Sequence, residues 1–206
     1  MSLVINSSAQ RLARVISVLV AGEQLAARTC LRQARLATMH GPLVRVLNAQ
    51  ARQEREHAAL AGALAICAGK DPQGADAAMR ELAVLDHRIT HDLENGRLAV
   101  TLFGMQGGLD QLGAALITQL AASPHPVARR FAPLTRRVLA QEQGHVMHGE
   151  KKWFRLLGGS PSHTLEDYRE IGRRLAHRTG ELVADCGQPG QAAWTAISHQ
   201  LDGWGA

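Results

Sequence analysis

Apolar residues recur along this chain three and four positions apart. Leu12, Val15, Ile16, Leu19, Val20, Leu25 and Ala26 fall on one stripe, the spacing of an amphipathic helix. Ser7 or Ser8 is placed to cap that helix, which the pattern carries to about Thr38 before Gly41-Pro42 interrupts it. A second helix is expected from about Pro42 to Ala68, ended by Gly69 and Asp71-Pro72. A third, more polar, runs from about Gln73 to Glu94 and stops at Asn95-Gly96. The next spans about Arg97 to Ala122, up to the Ser123-Pro124-His125-Pro126 break, and another covers about Val127 to Leu157. Pro161 to Thr179 and Gly190 to Trp204 read as shorter helices packed on the outside. No stretch is rich enough in Gly, Ser or Pro to serve as a linker between domains. The expectation is one all-α domain over residues 1–206, with core helices at about 8–157 and C-terminal helices at about 161–206.

Composition supports the helical reading. Hydrophobic residues make up 46 % of the 206, led by Ala, Leu and Val, while aromatics are 3 % with a single Tyr. Ala and Leu favour helices, and a sheet protein would use more aromatic and β-branched side chains. The net charge of +5 comes mostly from Arg spread along the chain, with no basic run of five or six. A solvated basic surface is one reading and an anionic partner, such as a nucleic acid or a carrier-bound or carboxylate substrate, the other; scarce aromatics argue against single-stranded RNA stacking. Cys30, Cys67 and Cys186 lie far apart with no C-x-x-C, so neither a zinc ribbon nor a disulfide scaffold is indicated, and reduced, mostly buried thiols are expected. The apolar stretch Val15 to Ala21 is too short to span a bilayer and lacks a signal-peptide cleavage pattern. A cytoplasmic protein without membrane insertion is expected.

The chemistry is written in Glu54-x-x-His57 and Glu142-x-x-His145. On a helix, a carboxylate and an imidazole three residues apart point the same way. Two such motifs, each joined by one more carboxylate from a neighbouring helix, are how a four-helix bundle holds two iron or manganese ions. Ten Glu and ten His in this length supply roughly half of one such pair by chance, so the motifs alone are only suggestive.

Their placement says more. The midpoint between Glu23 and the Glu54/His57 pair falls at residue 39 or 40, beside the Gly41-Pro42 turn. That between Asp110 and Glu142/His145 falls near residue 127, beside the second turn. In an antiparallel hairpin, residues equidistant from the turn face each other. Both hairpins thus bring carboxylate, carboxylate and imidazole to one level, roughly 20–27 Å from the turn at about 1.5 Å per residue. Glu23 sits among Leu19, Val20, Ala26 and Ala27, where an unpaired acid costs several kcal/mol unless a cation accompanies it.

Over residues 8–157 the chain resembles the ferritin-like di-iron carboxylate proteins. The string Gln141-Glu142-Gln143-Gly144-His145-Val146-Met147-His148-Gly149 is similar to that superfamily's E-x-x-H followed four residues on by Gly. Met105-Gln106-Gly107-Gly108-Leu109-Asp110-Gln111-Leu112-Gly113 is similar to the helix that normally contributes a Glu, with Asp110 in its place. Glu23 matches the first ligand. The resemblance implies a ferritin-like four-helix bundle with a long crossover helix and short additional C-terminal helices. It implies one ion held by Glu23, Glu54 and His57 and a second by Asp110, Glu142 and His145, with some carboxylates bridging. Asp110 departs from the pattern by one methylene, and Gln106, one turn earlier, is the alternative ligand.

The long stretch between hairpins is more like the oxygenase and oxidase branches (arylamine N-oxygenases, aldehyde oxygenases, the tRNA-hydroxylase group) than ferritins or rubrerythrins. The implied function is a di-iron, or Fe/Mn, oxygenase or oxidase that uses O2 and an external reductant on a small-molecule substrate. Iron handling or peroxide protection, an RNA-modifying hydroxylase and a non-enzymatic basic bundle are the alternatives; nucleic acid is not favoured as a partner, and a homodimer stays open. Tyr168, outside the core helices, is not placed to store a radical. Gly104, Gly107 and Gly108 either open a pocket or allow tight packing. His148 reads as surface or as a partner to a ligand, and Asp86, His87 and His91 as a solvated cluster. Arg52 and Arg137 are placed to pair with carboxylates or with an acidic substrate.

Overall fold

The computed structural model of the chain describes residues 8–69, 75–149 and 163–185. Among these, helices account for the architecture and no strand occurs. The elements are α1 (Ser8–Leu36), α2 (Gly41–Ala68), α3 (Asp76–Glu94), α4 (Leu98–Gly104), a π-helical segment (Met105–Leu109), α5 (Asp110–Ala122), α6 (Pro126–Gly149) and α7 (His163–Asp185).

The turns follow local chemistry. Pro42 sits in the first turn of α2, where its missing N–H costs nothing. Gly69 closes α2 at φ 96°, its N–H directed at Ala65 O and Ile66 O, a left-handed cap that favours glycine. Between α5 and α6, the His125 N–H donates to Ser123 Oγ at 3.3 Å and the Val127 N–H to His125 Nδ1 at 3.2 Å.

α1 packs along α2 and α5 along α6, giving two hairpins, while α3 crosses between them against α1 and α7. The main core joins Ile16, Leu19, Ile89, Met105, Ile117 and Leu175 from α1, α3, α5, α7 and the π segment. A smaller cluster of Cys30, Leu43, Leu47, Leu98 and Leu102 sits toward the α1–α2 turn. Full burial of each such aliphatic side chain contributes about 1.5–3 kcal/mol, and Leu47→Ala would cost about 2–5 kcal/mol through the cavity it leaves.

Three details differ from the sequence reading. The helix expected over 97–122 is interrupted at Met105–Leu109, where the Asp110 N–H reaches back to Met105 O. Such a wide turn is a recurring accommodation inside α-helices and clusters at functional sites; Gly107 and Gly108 lower the local preference for regular helix. Tyr168 is not peripheral: it is 1 % exposed. Its hydroxyl donates to Asp92 Oδ2 at 3.0 Å, and its ring lies directly against Gly104, where any Cβ would collide with it. Gly104 therefore serves tight packing and opens no pocket. α7 also runs past Thr179-Gly180 to Asp185, so it is a full 23-residue helix that covers α3 and α1. Residues 73–74 and 150–157, the helix expected over 190–204, and Cys186 lie outside the described residues. Of the other thiols Cys30 is buried and Cys67 exposed.

Candidate metal centre

The six side chains singled out from the sequence meet at one place. Glu23 comes from α1, Glu54 and His57 from α2, Asp110 from the first residue of α5, and Glu142 and His145 from α6. Glu23, Glu54, His57, Asp110 and Glu142 are between 1 % and 5 % exposed. Two donor groups can be drawn, Glu23, Glu54, His57 and Glu142, and Glu54, Asp110, Glu142 and His145. Each residue offers one ligand atom, and the atoms of a group lie within 4.8 Å of one another. Glu54 and Glu142 belong to both groups, so the two halves are not divided hairpin by hairpin: each hairpin lends its E-x-x-H carboxylate to the other. The His57 and His145 rings lie 6.2 Å apart between centroids.

Two observations test whether this set fits a pair of cations. The first is charge. Four buried carboxylates face two imidazoles, and two divalent ions would neutralise the four carboxylates with both rings neutral. The second is direction. His57 Nδ1 lies 2.8 Å from Glu142 Oε1, 3.4 Å from Glu54 Oε2 and 3.5 Å from Glu23 Oε2. Yet neither that nitrogen nor Glu142 Oε1 makes a properly directed hydrogen bond, and the same holds for His145 Nδ1, 3.1 Å from Glu54 Oε1. Buried polar atoms are normally paired. These nitrogens point into the space between oxygens, as ligands to a common ion do. The residues fit.

The opposite ring nitrogens are anchored. His57 Nε2 pairs with Gln141 Oε1 at 2.9 Å and His145 Nε2 with Gln53 Oε1 at 2.7 Å. An amide oxygen only accepts, so Nε2 carries a proton, and with a cation bound each ring would be neutral and present the lone pair of Nδ1 to it. The exchange is reciprocal, because Gln53 immediately precedes Glu54 and Gln141 immediately precedes Glu142. The sequence reading does not single out this repeated Gln-Glu-x-x-His. Nor does it find Gln50, which is 3 % exposed: its Nε2 donates to Asp110 Oδ2 at 2.7 Å and to Glu54 Oε1 at 3.1 Å. Thus the short Asp110 carboxylate is held from one side by an amide.

Without cations the cluster is electrostatically frustrated. Burial, and after it the neighbouring Glu142 and Glu54 charges, pushes the Glu23 carboxyl well above its usual range, against the pull of His57. Burial and the Glu54 and Glu142 charges do the same to Asp110. Burial disfavours the charged rings, but for His57 the oxygens of Glu142, Glu23 and Glu54 outweigh it and push the pKa up to about 12. For His145, Glu142 and Glu54 overcome burial and raise it to about 10. Burial opposes ionisation of Glu54 too, and the two imidazoles win, holding it below the ordinary carboxylate range.

Other candidates stand apart from the cluster. Gln106 is no partner of the carboxylates; its Nε2 faces Gln33 Oε1 at 3.2 Å, Gln50 Oε1 at 3.4 Å and Cys30 Sγ at 3.6 Å. Asp86 pairs with Arg28 at 3.3 Å and His87 and His91 are exposed, the expected solvated cluster. Arg52 and Arg137 are exposed, on the solvent side of α2 and α6 rather than among the buried carboxylates. The side chain of His148 lies outside the described residues. Two apolar cavities border the carboxylates. One of about 20 Å³ adjoins Glu23, Asp110 and Glu142, lined by Leu19, Leu109 and Gly113; the other, about 40 Å³, adjoins Glu23 and His57, lined by Leu60, Ile117 and Phe131. They hold roughly one to three water-sized molecules.

No model of a known protein family matches the chain, and no curated protein matches it in sequence. Among solved structures it is similar to a Synechococcus protein described as having aldehyde deformylating oxidase activity, with a TM-score of 0.79 and 18 % identity over 97 % of this chain and 93 % of that one. Identity at this level speaks for the fold alone: the chain is a ferritin-like helical bundle.

Proposed function

We propose that the chain is a dinuclear non-haem metal oxidase or oxygenase, with two iron ions, or one iron and one manganese, held by Glu23, Glu54, His57, Asp110, Glu142 and His145. The observation that carries this reading is the sharing of Glu54 and Glu142 between two buried donor groups. Carboxylate oxygens and imidazole nitrogens suit these ions, and no thiolate that would favour a softer metal is among them. When bound, the metal pair would supply O2 binding and its reduction, with electrons from an external donor.

The chain's own residues set the conditions. Gln53 and Gln141 hold the imidazoles with Nδ1 inward. Gln50 fixes Asp110. Leu19, Leu109, Leu112 and Ile117, all buried, keep bulk water from the carboxylates and so strengthen every interaction among them.

Protein loaded anaerobically with Fe(II), then given O2 and a chemical reductant, is expected to consume O2. The neighbour's activity makes an aldehyde the first organic substrate to try. Consumption that survives Glu54→Ala combined with Glu142→Ala would contradict the reading. The small size of the two cavities beside the carboxylates favours a second reading, iron handling or peroxide protection with no organic substrate. Fe(II) oxidation without any organic product, across aldehydes of increasing length, would select it.

A further inference from the structure

Arginine is spread unevenly over the surface of the bundle. α2 carries Arg45, Arg52 and Arg55, and α6 carries Arg129, Arg130, Arg136 and Arg137, all exposed, against one exposed acid, Glu56. The two helices pack against each other, so this layer presents more positive charge than the +5 of the whole chain. α3 and α7, which also pack together, carry ten acids and six arginines. Pairing differs as well. Arg88 on α3 and all four arginines of α7 take part in ion pairs, whereas among the described residues none of the seven on α2 and α6 does. Like charges gathered in one layer repel each other, and an anionic surface brought against them relieves that repulsion.

Two features decide the class of partner. The basic residues of both helices are all arginine, with no lysine, and arginine is enriched and lysine depleted at protein interfaces. Apolar side chains also stand among them: Val46 is 38 % exposed and Ile66 70 % on α2, and Leu134 is 41 % exposed on α6. A phosphate backbone gives such groups nothing to bury against, while a protein surface does. Leu134 lies four residues after Arg130 and three before Arg137, so the three share one stripe of α6.

We infer that the solvent side of the α2–α6 layer is a docking surface for an acidic protein. Leu134 is the apolar anchor, and the arginines around it meet carboxylates of the partner and steer its approach. A partner seated there lies over the two helices that carry both Glu-x-x-His motifs. The inference rests on surface charge and exposure and does not require the metal reading.

A fluorescent peptide of about 20 glutamate and leucine residues, long enough to lie along one of these helices, tests it beside a DNA duplex of equal charge. Each is titrated into the full chain, with amide NMR signals mapping where it binds. The peptide is expected to shift signals of α2 and α6 and to bind about tenfold more weakly when salt rises from about 50 to about 300 mM. At constant salt, Arg130→Glu with Arg137→Glu is expected to weaken it about tenfold and Leu134→Ser about threefold. Arg80→Glu with Arg178→Glu, the same change of charge on α3 and α7, is expected to leave it within about twofold. No binding of the peptide, tighter binding of the duplex, or an affinity untouched by the α6 reversal or by Leu134→Ser would overturn the inference. So would a self-association of the chain that Arg130→Glu with Arg137→Glu abolishes, since the surface would then belong to a second copy.

Discussion

His57 on α2 donates its Nε2–H to Gln141 Oε1 on α6 at 2.9 Å, directly beside Glu142, whose Oε1 lies 2.8 Å from the same ring's Nδ1. One imidazole is thereby aimed by two consecutive residues of the opposite hairpin. His145 repeats the arrangement with Gln53 and Glu54. Gln141→Leu keeps the volume and removes the acceptor, freeing the ring to turn. Metal affinity, read by competition with a chelator, is expected to fall about 10–100-fold while the helical circular dichroism stays unchanged. Gln53→Leu should do the same.

The shared carboxylates predict unequal stoichiometries. Glu23 and Asp110 each belong to one donor group, Glu54 and Glu142 to both. Glu23→Ala and Asp110→Ala are each expected to leave about one tight ion per chain, whereas Glu54→Ala and Glu142→Ala leave none. Elemental analysis after gel filtration separates the two outcomes.

The metal-free protein should weaken as pH rises. The folded-state pKa values of His57 and His145, about 12 and about 10, stand above the ordinary 6.5. The folded chain thus holds these protons more tightly than the unfolded chain does. That stability is fully present below pH 6.5 and is lost as pH climbs toward 10 and 12. Glu23 and Asp110, also raised, act in the same direction from their ordinary values upward. Glu54, held low, works oppositely, and only below its ordinary value. The melting temperature without metal is expected to be lower at about pH 9 than at about pH 6.5, and bound metal should remove most of that slope. Because metals must displace these protons, their apparent affinity should rise over the same window.

Gly104 and Tyr168 form a close pair that couples α7 to the segment leading into Asp110. Gly104→Ala forces its Cβ against the Tyr168 ring and is expected to cost about 1–3 kcal/mol in denaturant unfolding. Tyr168→Leu makes room, so the double variant should lose less than the sum of the two single ones.

Helix placement and the six clustered side chains are legible in the sequence because they depend on local spacing and on the symmetry of two hairpins. Glu23, Glu54 and His57 lie where the distance from the Gly41-Pro42 turn puts them. The π-helical turn before Asp110 is not legible, since Leu98–Ala122 carries an unbroken helical pattern and only packing selects the wider turn. Tyr168 looks peripheral in the sequence because its partners, Asp92 and Gly104, lie 76 and 64 positions away. The pairing of Glu54 and Glu142 across the hairpins likewise depends on how α2 meets α6. The repeated Gln before each Glu is in plain view, but its purpose emerges only once the two hairpins face each other.

A dinuclear metal site enclosed by these helices is tested most directly by anomalous scattering. Protein produced with iron and manganese in the medium would be crystallised and measured at each metal's absorption edge. Two peaks are expected within the cluster, one among Glu23, Glu54, His57 and Glu142 and one among Glu54, Asp110, Glu142 and His145. A cluster with no anomalous peak, or with a single ion that Asp110→Ala leaves untouched, would contradict it.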